Sequence, residues 1–211
     1  MARTKSFDEH IGEYEQWFID HRFVFLSELA ALRAVIPGHG TGVEIGVGSG
    51  IFASSLGIRY GIDPSRVMLE KARERGIDAL YGIAEQLPYP DNSFDYALMV
   101  TTICFVDDVK RSFHEVYRIL KRNGIFIIGF VDKDSPVGKV YLGHKDENVF
   151  YKDAVFYSTG EVYGYLEETG FRPETTLQTV FGMLGEADTV QTPEEGYGKG
   201  SFVVIRVVKV Q

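Results

Sequence analysis

A glycine-rich segment, residues 43–50, constrains the fold of this chain more than any other stretch. It begins with apolar and β-branched residues and ends with glycines at three alternate positions, Gly46, Gly48 and Gly50. This pattern predicts a buried parallel strand followed by a tight turn, where glycine permits unusual backbone angles and the close approach of a ligand. The residues from Ile51 onward can begin a helix whose first amide groups point at the bound molecule.

The spacing of these glycines differs from that of a dinucleotide-binding loop. The pattern G-x-G-x-x-G would place its third glycine at position 51, where this chain has isoleucine. An acid, Glu44, also precedes Gly46 by two residues. Because a carboxylate repels a pyrophosphate and attracts a positive charge, the segment favours a cationic ligand.

Composition bounds the class of protein. The chain has 211 residues, of which 45% are apolar and 25% charged, so we expect one domain with one sizeable core. The formal net charge is -8 and the basic residues are scattered, which argues against a nucleic-acid partner held through its phosphates. The single cysteine, Cys104, excludes an internal disulfide and a cysteine-rich zinc site, and we predict no metal.

The start of the chain and its hydropathy predict the compartment. Residues 1–10 are polar and lack the apolar segment of a signal peptide. No apolar run approaches the length that spans a bilayer. We therefore expect a cytoplasmic protein without a membrane partner; the sequence does not indicate its oligomeric state.

A second predicted strand ends at the sequence Asp63-Pro64-Ser65. Asp63 follows Gly46 by 17 positions, close to the offset of about 20 residues at which a β-α-β unit places an acid on a ribose. A carboxylate can accept hydrogen bonds from two neighbouring hydroxyl groups at once. The alternative is that these residues cap the following helix, and the two roles are compatible.

The rest of the chain alternates predicted helices and strands. Residues 7–37 read as one aromatic-rich helix, and a fifth strand, residues 125–130, is apolar throughout. Residues 132–148 are predicted as a loop over the site, and residues 175–182 and 201–210 as two final strands. The order predicts an α/β fold with a doubly wound, mostly parallel, seven-stranded sheet and ligands at the carboxyl ends of its strands.

Four stretches together resemble the class I S-adenosyl-L-methionine (SAM)-dependent methyltransferases, in particular the small-molecule group of that superfamily. They are residues 43–50, 61–65 with 68–73, 84–95 and 117–124. The resemblance implies a Rossmann-like methyltransferase fold, SAM as cofactor, and transfer of its methyl group to a small-molecule acceptor by in-line displacement. It also implies a single domain with a helical cap (1–40), a cofactor-binding core (41–131), an insertion over the site (132–155) and a C-terminal helix and strand pair (156–211).

The resemblance also implies a set of cofactor contacts. The predicted cofactor-binding residues are Glu44, Gly46, Gly48, Gly50, Asp63, Pro64, Ala84, Glu85 and Thr101. The glycines would lie against the methionine and ribose parts of SAM, with Glu44 near its ammonium group and Asp63 on the ribose hydroxyls. Ala84 and Glu85 would meet the adenine through their backbone, and Thr101 would lie beside the methionine tail.

The sequence departs from that family at two positions. Ile83 stands where relatives often carry an acid for the adenine amino group, and Cys104-Phe105 stands where many carry a histidine. No catalytic residue is assigned, because none of the candidate bases, His10, His21, His144, Tyr14 and Tyr151, is preferred. Two alternatives therefore stay open: a SAM-binding module without turnover, and a nicotinamide-dependent oxidoreductase.

The predicted N-terminal helix carries the candidate contacts to the acceptor. Its aromatic residues read either as a core-facing stripe or as a lid, and the predicted lid or substrate contacts are Tyr14, Trp17 and Arg22. The wider aromatic set indicates an apolar or cationic acceptor, because aromatic faces attract cations. It consists of Tyr14, Trp17, Phe18, Tyr141, Phe150 and Tyr151.

Overall fold

The computed structural model describes residues 4–210. Residues 1–3 and 211, which the predicted cap and C-terminal part include, lie outside the described residues. Three helices precede the first strand: α1 (Lys5–Glu9), α2 (Ile11–Asp20) and α3 (Arg22–Val35). None of the helices within residues 4–210 has the length and apolar character that a membrane span requires.

Strands and helices then alternate along the chain, as expected for a β-α fold. In chain order they are β1 (Gly42–Ile45), α4 (Ile51–Leu56), β2 (Tyr60–Asp63), α5 (Arg66–Glu74), β3 (Asp78–Tyr81), β4 (Phe94–Val100), α6 (Val109–Ile119), β5 (Leu120–Val131), α7 (Pro136–Gly143), α8 (Thr159–Glu168), β6 (Phe171–Thr179), β7 (Glu194–Glu195) and β8 (Phe202–Lys209).

The strands form one sheet in the order β3-β2-β1-β4-β5-β8-β6-β7. The five strands from β3 to β5 run parallel to one another, and β8, β6 and β7 each run antiparallel to the preceding neighbour. This confirms the predicted doubly wound, mostly parallel α/β fold. The predicted number of seven strands was wrong by one, because β7 has only two exposed residues and so leaves no apolar alternation in the sequence.

Helices cover both faces of the sheet, and the side chains of β4 pack against helices on each face. Ala97 and Met99 point to one face and pack with Phe113 of α6 in one core cluster. Leu98 points to the other face, in a second cluster with Leu32 of α3. All five side chains are fully buried. Apolar residues on both sides of a strand are typical of a parallel sheet wound on both faces.

The first two strands are neighbours with a register that brings their ends together. Ile45 of β1 pairs with Ile62 of β2. The carbonyl of Ile62 also accepts hydrogen bonds from the amides of Gly46 at 2.9 Å and Val47 at 2.8 Å. The glycine turn after β1 and the acid at the end of β2 therefore lie side by side at one edge of the sheet.

The N-terminal segment is three helices rather than the single helix predicted for residues 7–37. It breaks at His10 and His21, whose φ angles of -126° and -109° leave the helical region. The breaks let α1 turn back over the sheet edge, where the hydroxyl of Ser65 donates to the carboxylate of Asp8. Tertiary contacts here override a continuous apolar periodicity.

The segment predicted as a loop, residues 132–148, contains the helix α7. The side chain of Ser135 caps it by accepting from the amide of Gly138 at 3.0 Å, and Pro136 occupies the first turn. A serine followed by proline is a helix-start signal, because proline needs no hydrogen bond for its nitrogen there. The strand β6 also begins earlier than predicted, at Phe171 instead of position 175.

Candidate active site

A cavity of about 210 Å³ lies at the carboxyl ends of β1, β2 and β4. Most of the predicted site residues line it: Tyr14, Glu44, Gly46, Gly48, Asp63, Pro64, Ala84, Glu85 and Thr101. Gly50, Trp17 and Arg22 do not. Loops that follow neighbouring parallel strands meet at the same edge of a sheet, which is why residues far apart in sequence converge here.

The carboxylate of Asp63 is fixed by two backbone amides. One oxygen accepts from the amide of Gly48 at 2.9 Å and the other from the amide of Ser65 at 2.8 Å. Burial raises the pKa of Asp63 to about 6, although the two hydrogen bonds oppose this shift. Each oxygen keeps a further lone pair, so the carboxylate can still accept from a ligand. The helix cap is Ser65, whose hydroxyl accepts from the amide of Met68 at 3.0 Å.

Glu44 is a buried carboxyl group in the middle of β1. The backbone amide of Ala53 donates to it, and burial raises its pKa well above the ordinary value. Its Oε2 atom has no hydrogen-bond partner within the described residues. Because a buried polar atom without a partner is unfavourable, this oxygen calls for a donor from a bound molecule, such as an ammonium group.

The three glycines of the turn all have positive φ, at +72° for Gly46, +52° for Gly48 and +81° for Gly50. A Cβ on Gly46 would lie 2.3 Å from the side chain of Thr102, and one on Gly50 would lie 3.0 Å from the Cα of Ala72. The absence of a Cβ at Gly46 and Gly50 therefore lets Thr102 and α5 pack closely against the turn. Gly50 faces α5, so the predicted contact between Gly50 and the cofactor is not part of this cavity.

Backbone amides of the turn are largely engaged within the protein. Gly46 and Val47 donate to the carbonyl of Ile62, Gly48 donates to Asp63, and Gly50 donates to the carbonyl of Val47. A dinucleotide loop instead directs such amides at phosphate oxygens. In the part of the chain that the structure describes, the cavity lining also contains four acids and no lysine, arginine or histidine. The site therefore favours a cationic nucleoside over a pyrophosphate.

Ile83, Ala84 and Glu85 line the wall after β3. The carboxylate of Glu85 accepts from the amides of Asp107 at 2.7 Å and Asp108 at 3.2 Å. Its side chain thus holds the neighbouring loop, while its backbone carbonyl accepts from the Nε atom of Arg111 at 3.0 Å. This arrangement is compatible with the predicted adenine contact through main-chain atoms.

Comparison with known proteins agrees with this geometry. The sequence family described as Methyltransferase domain matches residues 43–128. A SAM-dependent methyltransferase of Thermotoga maritima, described as a possible histamine N-methyltransferase, is 49% identical, with 97% of this chain and 98% of that chain covered and a TM-score of 0.94. This chain belongs to the SAM-dependent methyltransferases. SAM is therefore its cofactor and methyl transfer its activity, in place of the two alternatives left open above.

Two further proteins are similar to this methyltransferase in sequence. An uncharacterized protein of Methanocaldococcus jannaschii is 41% identical, over 97% of this chain and 98% of its own length. A demethylmenaquinone methyltransferase of Anoxybacillus flavithermus is 30% identical, over 67% of this chain and 63% of its own length.

A second cavity of about 320 Å³ adjoins the first in this methyltransferase. Five residues line both cavities: Phe7, Tyr14, Phe52, Thr101 and Phe105. Thr101 has a φ of +50°, which is strained for a β-branched residue. Such strain is concentrated at functional sites, and here it marks the boundary between the two cavities.

The second cavity gathers the whole aromatic set that the sequence indicated, including Trp17 from the predicted lid. Arg22 lies exposed at the start of α3 and lines neither cavity.

Sequence reasoning missed Glu28, a buried acid that also lines the second cavity. The signal was present, since Glu28 stands one helical turn after Val24 and one before Leu32 on the buried face of α3.

The candidate histidine bases line neither cavity. His10 bonds Glu13 at 3.0 Å, His21 bonds the carbonyl of Trp17 at 3.1 Å, and His144 pairs with Glu147. Tyr14 lines both cavities and Tyr151 the second one, and burial raises the pKa of each phenol well above its ordinary value. Within residues 4–210, no cluster of side chains is arranged to hold a metal ion.

Proposed function

We propose that this methyltransferase transfers the methyl group of SAM to a small molecule bound in the second cavity, by in-line displacement. The observation that carries this proposal is that the two cavities adjoin and share the strained residue Thr101. A volume of about 320 Å³ lies at the lower end of the range for small-molecule sites, which begins at about 300 Å³. A small acceptor would therefore fit beside the cofactor.

The cofactor contacts belong to the same proposal. Asp63 accepts the ribose hydroxyls through the lone pairs that its two amide donors leave free. The unpartnered oxygen of Glu44 accepts from the ammonium group of the methionine part. Ala84 and Glu85 meet the adenine through their backbone, and Gly48 leaves room for the cofactor between Asp63 and Tyr14.

The residues of this chain contribute alignment more than acid-base chemistry. SAM supplies a methyl group that its sulfonium already activates. The wall that the two cavities share at Phe7, Phe52 and Phe105 is apolar and so disfavours water at the junction, where Thr101 also lines both cavities. Holding two reactants at contact distance can by itself supply much of a rate enhancement. We assign no general base.

Relatives support a small acceptor. The Anoxybacillus flavithermus relative is named for demethylmenaquinone, and the description of the Thermotoga maritima relative names histamine. Both are small molecules, although they differ in charge and size.

The proposal predicts where the methyl group goes in a mixed pool of acceptors. The protein, supplied with SAM labelled in its methyl group, is incubated with a cell extract that is then divided into metabolites, protein and nucleic acid. We expect label above a no-enzyme control in the metabolite fraction alone. Label confined to protein or nucleic acid would contradict a small-molecule acceptor while leaving the methyltransferase activity intact.

A further inference from the structure

We propose that the second cavity binds an organic amine in its protonated form, with the carboxylate of Glu28 as its counter-charge. This inference rests on the proposed function, because it concerns the methyl acceptor that the second cavity binds. It adds the chemical class of that molecule and the residue that recognises it.

Glu28 is an acid in an apolar environment. It lies on the buried face of α3 between Val24 and Leu32, and its exposed fraction is 5%. Within residues 4–210, no hydrogen bond or ion pair to its side chain is found. An isolated carboxylate in such a place destabilises the folded protein unless a ligand supplies the partner. Active sites are the places where such unfavourable groups are retained.

The charges around the cavity call for a cation. Its titratable groups are the carboxyl groups of Glu28 and Glu13 and the phenols of Tyr14, Tyr141 and Tyr151. Among residues 4–210, no lysine, arginine or histidine lines it. Burial raises the pKa of Glu28 to about 8, and no charged group among the described residues opposes this shift. A protonated amine would supply that missing charge.

The walls distinguish an organic cation from a metal ion. Aromatic rings make up much of the lining, and Tyr141 and Tyr151 pack with ring centres 4.6 Å apart. Aromatic faces attract organic cations and pack against apolar groups. Metal ions such as calcium and magnesium instead need several oxygen ligands, which one buried carboxylate cannot provide. The cavity therefore suits an amine that also carries an apolar or aromatic part.

A neutral acceptor of similar shape is the competing occupant. A quinone or alcohol could fill the same aromatic walls, but it would leave the carboxyl group of Glu28 without a charged partner. The difference between an amine and the matching alcohol therefore isolates the contribution of Glu28.

The test compares matched ligands on the protein saturated with S-adenosylhomocysteine. Binding of 2-phenylethylamine and 2-phenylethanol, and of tryptamine and tryptophol, is measured by calorimetry at pH 8.5, where both the amine and the Glu28 carboxylate are charged. We expect each amine to bind at least about tenfold more tightly than its alcohol. We expect Glu28→Gln to abolish the difference and Glu70→Gln, on the exposed face of α5, to leave it unchanged.

Several results would overturn the proposal: equal binding of amine and alcohol, no binding of any of the four, or an undiminished preference in Glu28→Gln. Unchanged binding of S-adenosylhomocysteine by Glu28→Gln shows that the variant is folded. If that variant does not fold, the wild-type protein decides, because the preference must shrink at pH 6, where Glu28 is protonated. If the wild-type protein does not bind S-adenosylhomocysteine, that result would instead count against the proposed function.

Discussion

At the scale of single residues, this protein keeps three buried carboxyl groups at its two cavities. Asp63, Glu44 and Glu28 each have a pKa that burial raises. Asp63 is partly compensated by two amides and Glu44 by one, whereas burial is the sole cause of the shift at Glu28. Each therefore lowers the stability of the ligand-free protein at neutral pH and above, a penalty typical of sites built to bind charge.

Glu28 makes this penalty measurable. Its pKa rises from 4.5 to about 8 on folding, so the folded state binds its proton more tightly than the unfolded state. The stabilisation from protonation is complete below pH 4.5 and is lost as pH rises toward 8. We predict that the stability of Glu28→Gln relative to the wild type increases by about 2 kcal/mol between pH 6 and pH 8.5.

Urea unfolding at several pH values, without ligands, measures this difference. Glu70→Gln serves as the matched control, since Glu70 is exposed and its variant should follow the wild-type curve. A constant offset between Glu28→Gln and the wild type across this range would mean that Glu28 does not titrate in its buried position.

Some of the residues that line the two cavities could be predicted from the sequence, and others could not. Asp63 and Glu44 could be predicted because a short β-α-β unit fixes their positions relative to the glycine turn. Glu28 was missed although its spacing from Val24 and Leu32 indicates the buried face of α3, because helical periodicity does not tell whether a buried acid meets a cavity. Gly50 was assigned to the cofactor, yet it lines neither cavity, and a Cβ at this position would lie only 3.0 Å from the Cα of Ala72.

At the scale of elements, the N-terminal helices are fastened over the cofactor cavity by a few polar contacts. The hydroxyl of Ser65 joins α1 to the start of α5 through Asp8. Arg75 joins α2 to the glycine turn, since it pairs with Glu15 at 2.8 Å and donates to the carbonyl of Ser49 at 2.9 Å. Phe7 and Tyr14 on these helices line the cavity that this cap covers.

We predict that Arg75→Ala weakens S-adenosylhomocysteine binding by about two- to fivefold with little loss of thermal stability. The Arg75 and Glu15 side chains are 31% and 28% exposed, and pairs of this kind contribute about 1 kcal/mol or less. Calorimetry gives the affinity and a melting curve gives the stability. Lys110→Ala, which breaks the Lys110–Glu168 pair between α6 and α8, is the control. Equal effects of the two variants on affinity would contradict a specific role of the cap.

Elements were predicted best where local signals suffice. The alternation of strands, glycines and helices in residues 43–130 fixed the parallel half of the sheet. The single N-terminal helix was wrong because the chain leaves the helical region at His10 and His21, with no proline at either position to signal a break. The helix α7 was missed although Ser135 and Pro136 signal its start.

At the scale of the whole molecule, two cavities of different origin adjoin, and the strained residue Thr101 lines both. The cofactor cavity is made by loops of consecutive β-α units, so its outline follows from the order of the chain. The second cavity is assembled from α1, α2, α3, the segment around α7 and the ends of β6 and β8. Packing over long sequence separations brings these parts together, and no local pattern encodes it. The division into cap, core, insertion and C-terminal part stays a prediction.

The central claim is that one nucleoside binds across the ends of β1 and β2, with its ribose on Asp63. The most direct measurement is calorimetric titration of S-adenosylhomocysteine into the wild type, Asp63→Asn and the control Asp78→Asn, which changes an exposed acid on β3. A hydrogen bond to a charged group contributes about 1.5–3 kcal/mol, so Asp63→Asn should bind at least about tenfold more weakly while Asp78→Asn matches the wild type. Equal affinity of all three proteins would contradict the account.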